Sequence, residues 1–161
     1  MRRPHFGRIK KRILQDGALG CIIYRVRALC FAHATTEVYM HGKLLIKRIY
    51  LPASDDDGER CLVDRLWPRG IKKETAHIDA WMKDVAPSNE IRKDFNHEVE
   101  KFPAFRAAYK KELSKNDEAK QFASSCAEKL KTKNVTLLYG AKDDEHNNAV
   151  VLRDWILQKL T

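Results

Sequence analysis

The stretch VTLLYG, residues 135–140, decides the fold because it is a short and almost wholly apolar run that a glycine ends. Such a run is typical of a strand that is covered on both faces, whereas a strand with one face in water alternates between apolar and polar residues. The sequence therefore predicts that residues 135–139 form a central strand of a sheet.

Helical patterns lie on both sides of this strand. Four helices are predicted: from Ser88 as N-cap through Asn96, from Pro103 to Leu113, from Asn116 or Asp117 to Leu130, and from Glu145 to Leu160. Apolar side chains recur at helical spacing in the last three, so each of these helices buries one side. A proline suits the first turn of a helix, and a serine suits the N-cap.

Further strand patterns precede the helices. They run from Leu44 to Tyr50 and from Arg60 to Trp67, with the turn-forming cluster SDDDG between them. Residues 78–85 fit a helix or a strand, and the strand is favoured because Ala86-Pro87-Ser88 then forms a strand-to-helix turn. Strands separated by helices predict an α/β fold, with a small, at least partly parallel sheet flanked by helices, in a single domain over residues 43–161.

Charge is unevenly distributed along the 161 residues, whose net charge is +9. Residues 1–42 carry eight Lys or Arg and two acids, whereas residues 43–161 carry 23 Lys or Arg and 20 acids. Because the basic excess lies mostly in the first quarter, nucleic acid is not expected to bind the core domain. No apolar run reaches the ~18 residues that a membrane span needs, so no membrane association is expected.

Residues 1–42 form a basic extension outside the domain pattern. Ala18–Ala34 resembles the apolar part of a signal peptide, but Arg25 and Arg27 interrupt it, which favours an organellar transit peptide over secretion. Two other interpretations are a disordered extension and a miscalled start, with translation beginning at Met40. Residues 1 to about 40 are expected to contribute nothing to the core, because they lack both the periodicity and the charge balance of the domain.

The four cysteines indicate a reducing compartment, and the cytoplasm is the expected location. Cys21, Cys30, Cys61 and Cys126 form no C-x-x-C pair and show no zinc spacing, so neither a disulfide framework nor a metal site is predicted. Cys61 and Cys126 lie in apolar patterns and are interpreted as small core residues rather than nucleophiles.

The first candidate for chemistry is DRLWPRG, residues 64–70, where a strand pattern enters a loop. Ligands of open α/β sheets gather beyond the carboxyl ends of the strands, and Arg69 could present its guanidinium to a carboxylate or phosphate there. Asp64 would then orient one of the arginines. The alternative is that Asp64 and Arg65 organise the loop while Trp67 is a core residue.

The second candidate is YGAKDDEHNN, residues 139–148, at the start of the last helix. Backbone amides at a helix N-terminus attract anions, and Lys142 could add a positive charge. The acids at 143–145 are explained in part by capping, but His146 and Asn147 are not. His146 is either a general base or a hydrogen-bonded structural residue.

The third candidate is APSNEIRKDFNHE, residues 86–98. Arg92 follows Ser88 by about one helical turn, and His97 ends the helix. Ser88 is interpreted as a cap because the spacing supplies no base to activate it. The sequence lacks a Gly-rich phosphate loop, a dinucleotide-binding fingerprint, a metalloprotease helix and a nucleophile elbow.

Taken in order, LLIKRIY, CLVDRLWPRGIKKE, AWMKDVAPSNEIRKDFNHE, FRAAYKKEL and VTLLYGAKDDEHNNAVVLRDWI closely resemble the YeaO-like family of bacterial proteins, which contain the domain of unknown function 488. The resemblance covers about residues 43–160. It implies an α/β fold and a bacterial cytoplasmic origin, and it assigns no reaction. Members of that family typically begin a few residues before the first strand, which favours Met40 as the start.

The three stretches together predict a cleft at the strand ends that binds a small anionic ligand bearing a phosphate or carboxylate. The expected ligand-binding residues are Asp64, Arg65, Trp67, Arg69, Ser88, Arg92, Lys142, His146 and Asn147. The alternative is a nucleic-acid or protein interaction module without catalysis, which would show a spread basic face with exposed aromatics instead of a concavity. The sequence identifies neither a reaction nor a cofactor, nor an oligomeric state.

Overall fold

The computed structural model describes residues 41–160, which form a single small α/β domain. The strands are β1 (Leu44–Arg48), β2 (Glu59–Leu62), β3 (Ala80–Trp81) and β4 (Val135–Tyr139), and the helices are α1 (Asn89–Phe95), α2 (Phe102–Lys115), α3 (Asp117–Leu130) and α4 (Asn148–Leu160). All strand pairs are parallel, and their order in the sheet is β1-β4-β2-β3. The predicted fold class is therefore confirmed.

Strand β4 occupies the centre of the sheet, between β1 and β2. All five of its residues are buried, as its apolar composition predicts. Its side chains alternate between two clusters: Val135, Leu137 and Tyr139 join the larger one, and Leu138 joins the smaller one. The strand is thus covered on both faces.

The larger cluster contains residues of all four helices, so the helical layer packs on one face of the sheet. Local signals begin the first three of these helices as predicted. The Ser88 hydroxyl accepts a hydrogen bond from the N–H of Ile91, and the Asn116 side chain accepts from the first turn of α3. Pro103 lies in the first turn of α2, where its missing N–H costs no helical hydrogen bond.

The opposite face is covered by loops. There Ile49, Leu62 and Leu138 are buried beneath the partly buried Trp67 and Ile78. Because none of the helices between residues 41 and 160 contributes to this cluster, the loop that follows β2 reaches over the sheet to complete it.

A buried ionic network lies on this side of the sheet too. Asp57 accepts hydrogen bonds from Lys47 and from Arg60, whose Nε also donates to the His77 carbonyl. Burial alone would raise the pKa of Asp57, but the bonds from Lys47, the Ser54 N–H and Arg60 hold it below its ordinary value. The network joins β1 and β2 to the turn between them.

Several predicted boundaries are wrong. The second strand ends at Leu62 rather than Trp67, and the last helix begins at Asn148 rather than Glu145. The first strand ends at Arg48, two residues before the predicted Tyr50. The segment 78–85 combines a two-residue strand with a 3-10 turn, so the preference for a strand holds only at β3.

Strand β2 ends early because the pairing with β4 passes to a side chain. The Val63 N–H still donates to the carbonyl of Leu138 in β4. The N–H of Gly140, the residue directly after β4, donates to the Asp64 carboxylate instead of to a backbone carbonyl of β2. The expected continuous burial also fails at Leu66, which is 64% exposed.

Cys61 and Cys126 are buried, in agreement with their interpretation as core residues. The predictions for residues 1–40 lie outside the described residues. Between residues 41 and 160, no helix has the length and apolar character required to cross a bilayer.

Candidate functional site

A cleft of about 280 Å³ opens at the carboxyl ends of β2 and β4. Its lining residues are Asp64, Arg65, Leu66, Pro87, Arg92, Phe95, His97, Phe105, Gly140, Ala141, Asn147 and Asn148. They come from the loops after β2 and β4, from both ends of α1 and from the first turns of α2 and α4. The three stretches singled out in the sequence therefore meet at one concavity, and four predicted residues line it: Asp64, Arg65, Arg92 and Asn147.

Asp64 lies at the floor of the cleft and holds two loops together. Its Oδ2 accepts a hydrogen bond of 2.8 Å from the Gly140 N–H, and its Oδ1 accepts one of 3.1 Å from the side-chain amide of Asn148. A side chain at position 140 would place its Cβ 3.1 Å from Oδ2, so glycine permits this close approach. The expected orientation of an arginine by Asp64 is wrong, because no arginine of residues 41–160 forms an ion pair with it.

Burial raises the pKa of the Asp64 carboxyl above its ordinary value. The hydrogen bonds from Gly140 and Asn148 and the charges of Arg92 and His97 act in the opposite direction without cancelling the shift. Arg92 and His97 therefore act on this carboxylate electrostatically, and neither is hydrogen-bonded to it.

Arg65 and Arg92 carry the permanent positive charge of the cleft. Neither forms an ion pair with any residue in the described part of the chain. Arg92 lies one turn into α1, where its Nη1 donates a long bond of 3.4 Å to the Asn89 side chain. Arg65 is exposed. Two guanidinium groups thus retain most of their hydrogen-bonding capacity for a ligand.

Asn147 and Asn148 fix the start of α4. Asn147 is 2% exposed; its Oδ1 accepts from the Val150 N–H as a helix cap, and its Nδ2 donates to the Asp143 carbonyl. Asn148 donates to the Val63 carbonyl as well as to Asp64. Both side chains are committed to the protein, so they shape the cleft rather than offer free donors.

Trp67 and Arg69 do not line the cleft. The Trp67 indole donates to the Ile71 carbonyl, and its ring meets Trp81 edge-on at 5.4 Å, on the face of the sheet away from the helices. The side chain of Arg69 is exposed, and its carbonyl accepts a hydrogen bond from the Tyr50 hydroxyl. The structure places Trp67 as the core residue of the alternative interpretation.

His146 and Lys142 lie in the loop before α4 but outside the cleft. His146 Nδ1 is 2.9 Å from an oxygen of Asp143, and the imidazole meets the Phe102 ring edge-on. Bonds from the backbone N–H groups of His146 and Glu145 hold the pKa of Asp143 below its ordinary value. This pair closes a turn, as expected of a structural histidine, and Lys142 is exposed.

Ser88 also stays outside the lining. Its hydroxyl caps α1, and its N–H donates to Glu112 of α2 at 3.1 Å. Both polar groups therefore have structural partners.

Sequence reasoning did not predict eight of the twelve lining residues: Leu66, Pro87, Phe95, His97, whose φ is 59°, Phe105, Gly140, Ala141 and Asn148. Asn148 and His97 stand inside the quoted stretches, where their polarity was the available signal. Phe105 lies in an apolar helical pattern that predicts only core packing, and no sequence signal assigned Phe95 to the site.

A second cavity, of about 310 Å³, lies between β3 and α3. Lys129 is the cation in its lining, and this residue already pairs with Glu59. The thiol of Cys61, also in the lining, has its pKa raised to about 12 by burial, so it is not a nucleophile there. The strand-end cleft is the better candidate for an anion, because its cations Arg65 and Arg92 form no ion pair with any residue between 41 and 160, whereas Lys129 does.

No three His, Cys, Asp or Glu side chains between residues 41 and 160 come together as metal ligands would. The sequence and structure therefore assign no residue to a metal or a cofactor.

Comparison with known proteins gives the same family as the sequence resemblance. "Uncharacterized protein YeaO" of Escherichia coli K12 is 46% identical over 110 residues, which cover 68% of this chain and 93% of that protein. "Uncharacterized protein Rv3073c" of Mycobacterium tuberculosis is 44% identical over 71 residues, or 44% of this chain and 60% of the relative. No solved structure matches. Residues 43–161 match DUF488-N3i, described as the inactive DUF488-N3 subclade, and the chain therefore belongs to this family.

Proposed function

We propose that this protein binds a small anionic ligand, bearing a phosphate or carboxylate, in the strand-end cleft and does not transform it. The observation that carries the proposal is the charge balance of the lining. Arg65 and Arg92 have no acidic partner, whereas the carboxylate of Asp64 already accepts two hydrogen bonds. An anion placed between the two guanidinium groups would complete this arrangement.

Binding without catalysis agrees with the chemistry of the nearby groups. Ser88 and His146, the candidates for a nucleophile and a base, have structural hydrogen bonds and do not line the cleft. The chain belongs to a subclade described as inactive, which supports a binding role over an enzymatic one.

The cytoplasm is the proposed location. Cys61 and Cys126 are free thiols in the structure, as expected in a reducing compartment.

Thermal unfolding with added phosphate, sulfate and acetate tests the binding. At ten times the dissociation constant, an anion that binds only the folded protein should stabilise it by about 1.4 kcal/mol, a shift of roughly 3–8 °C. Arg65→Gln and Arg92→Gln should each weaken the binding at least fivefold. Arg69→Gln is the matched control, because it removes the same charge outside the cleft, and it should change the affinity less than twofold.

The interaction-module alternative predicts a different result. Oligonucleotide binding should be measured at two salt concentrations on the full chain and on Arg65→Gln. Submicromolar binding near physiological salt that Arg65→Gln leaves unchanged, together with no response to small anions, would contradict the cleft proposal.

A further inference from the structure

The cleft has an apolar side that a purely inorganic anion would leave unused. Pro87, Phe95 and Phe105 belong to its lining, and the two phenyl rings stack on each other at 4.5 Å. Each phenylalanine is only 5% exposed, so the two residues are held in the core and present a small apolar wall to the cleft. Water against such a wall is replaced favourably by an apolar ligand group.

Leu66 adds to this apolar side from the loop after β2. It is 64% exposed, more than any other exposed large hydrophobic residue between residues 41 and 160, and it follows Arg65 in the lining of the cleft. A leucine held in water next to a free guanidinium is unfavourable for the protein alone. Apolar side chains exposed at a concavity are typical of ligand contacts.

Resting on the proposed function, we infer that the ligand is an amphipathic anion: one phosphate or carboxylate attached to an apolar body of about the size of a single ring, such as an aryl phosphate or an aromatic carboxylate. The anionic group would lie at Arg65 and Arg92, and the ring would contact Leu66 and the phenyl wall. A volume of about 280 Å³ is at the small end of the range for ligand pockets, which favours a single ring over a dinucleotide.

Calorimetric titration of the full chain tests this inference with two matched pairs of probes, phenyl phosphate against inorganic phosphate and benzoate against acetate. The aromatic member of each pair should bind at least tenfold more tightly, because only it can bury apolar surface against the wall. Leu66→Ser should weaken the binding of phenyl phosphate at least threefold and leave that of inorganic phosphate within twofold.

Leu51→Ser is the matched control, since Leu51 is 50% exposed but lies outside the cleft, and it should change neither affinity. If inorganic phosphate binds as tightly as phenyl phosphate, the inference of an apolar body is overturned while the anion site stands. If neither phosphate nor carboxylate probes bind, the inference and the proposed function both fail. Equal losses in Leu66→Ser and Leu51→Ser would also overturn the role of Leu66.

Discussion

Replacing Asp64 is expected to destabilise the fold because its carboxylate joins the loops that follow β2 and β4. It accepts bonds of 2.8 Å from the Gly140 N–H and 3.1 Å from the Asn148 amide. Hydrogen bonds to a charged group contribute about 1.5–3 kcal/mol each, and burial of the charge offsets part of this. At pH 7 Asp64→Ala should lower the free energy of unfolding by about 2–3 kcal/mol, and Asp64→Asn, which keeps one acceptor oxygen, by about 1 kcal/mol.

The pH dependence of this effect has a definite sign. Because burial raises the pKa of Asp64, the folded protein holds this proton more tightly than the unfolded chain does. The contribution of Asp64 to stability is therefore complete below its unfolded-state pKa of about 3.9 and declines as the pH rises through the raised pKa. The advantage of the wild type over Asp64→Asn should be larger at pH 3.5 than at pH 7.

Urea unfolding, followed by tryptophan fluorescence at both pH values, measures these differences. Asp144→Asn is the control, since Asp144 is an exposed acid in the loop after β4 and its loss makes the same change in net charge. A stability of Asp64→Ala within about 0.5 kcal/mol of the wild type would refute the structural role of the carboxylate. If the difference in unfolding free energy between the wild type and Asp64→Asn increased with pH, the upward direction of the Asp64 pKa shift would be refuted.

Other features of the fold lead to three further predictions. Gly58→Ala should cost about 2–4 kcal/mol in urea unfolding, because φ is 62° at this position and an added Cβ would lie 2.1 Å from the Asn134 carbonyl oxygen. The thiols of Cys61 and Cys126, whose pKa values burial raises to about 12, should be alkylated only in denaturant. Alkylation of either thiol in the native protein, detected by mass spectrometry of peptides, would contradict this prediction. Arg69→Gln should change the free energy of unfolding by less than about 0.5 kcal/mol in a thermal melt, and a larger loss would show that the guanidinium has a structural partner.

The sequence predicted those elements that depend on neighbouring residues. Ser88 and Asn116 cap helices because their side-chain oxygens reach N–H groups two or three residues away. Central strand β4 followed from five consecutive residues, since a strand covered on both faces must be apolar throughout.

The end of β2 could not be predicted in this way. It depends on the hydrogen bond between Asp64 and Gly140, which are 76 residues apart in the sequence. Local propensity alone would extend the strand through Leu66 and Trp67. The Gly140 N–H, which is distant in sequence, donates to the Asp64 carboxylate, and the chain leaves the sheet at this point. Tertiary contact overrides the local pattern at this point.

The same departure explains why only part of the predicted site assembles. Asp64 and Arg65 precede the point where the chain crosses the end of the sheet, so they line the cleft on the helical side. Trp67 follows that point and packs with Leu62 and Leu138 on the opposite face, and Arg69 continues toward Tyr50. A single polar motif therefore contributes to two faces of the sheet, and only its first half lines the cleft beside α1. The position of a guanidinium relative to this crossing, rather than its presence in the motif, decides whether it lines the cleft.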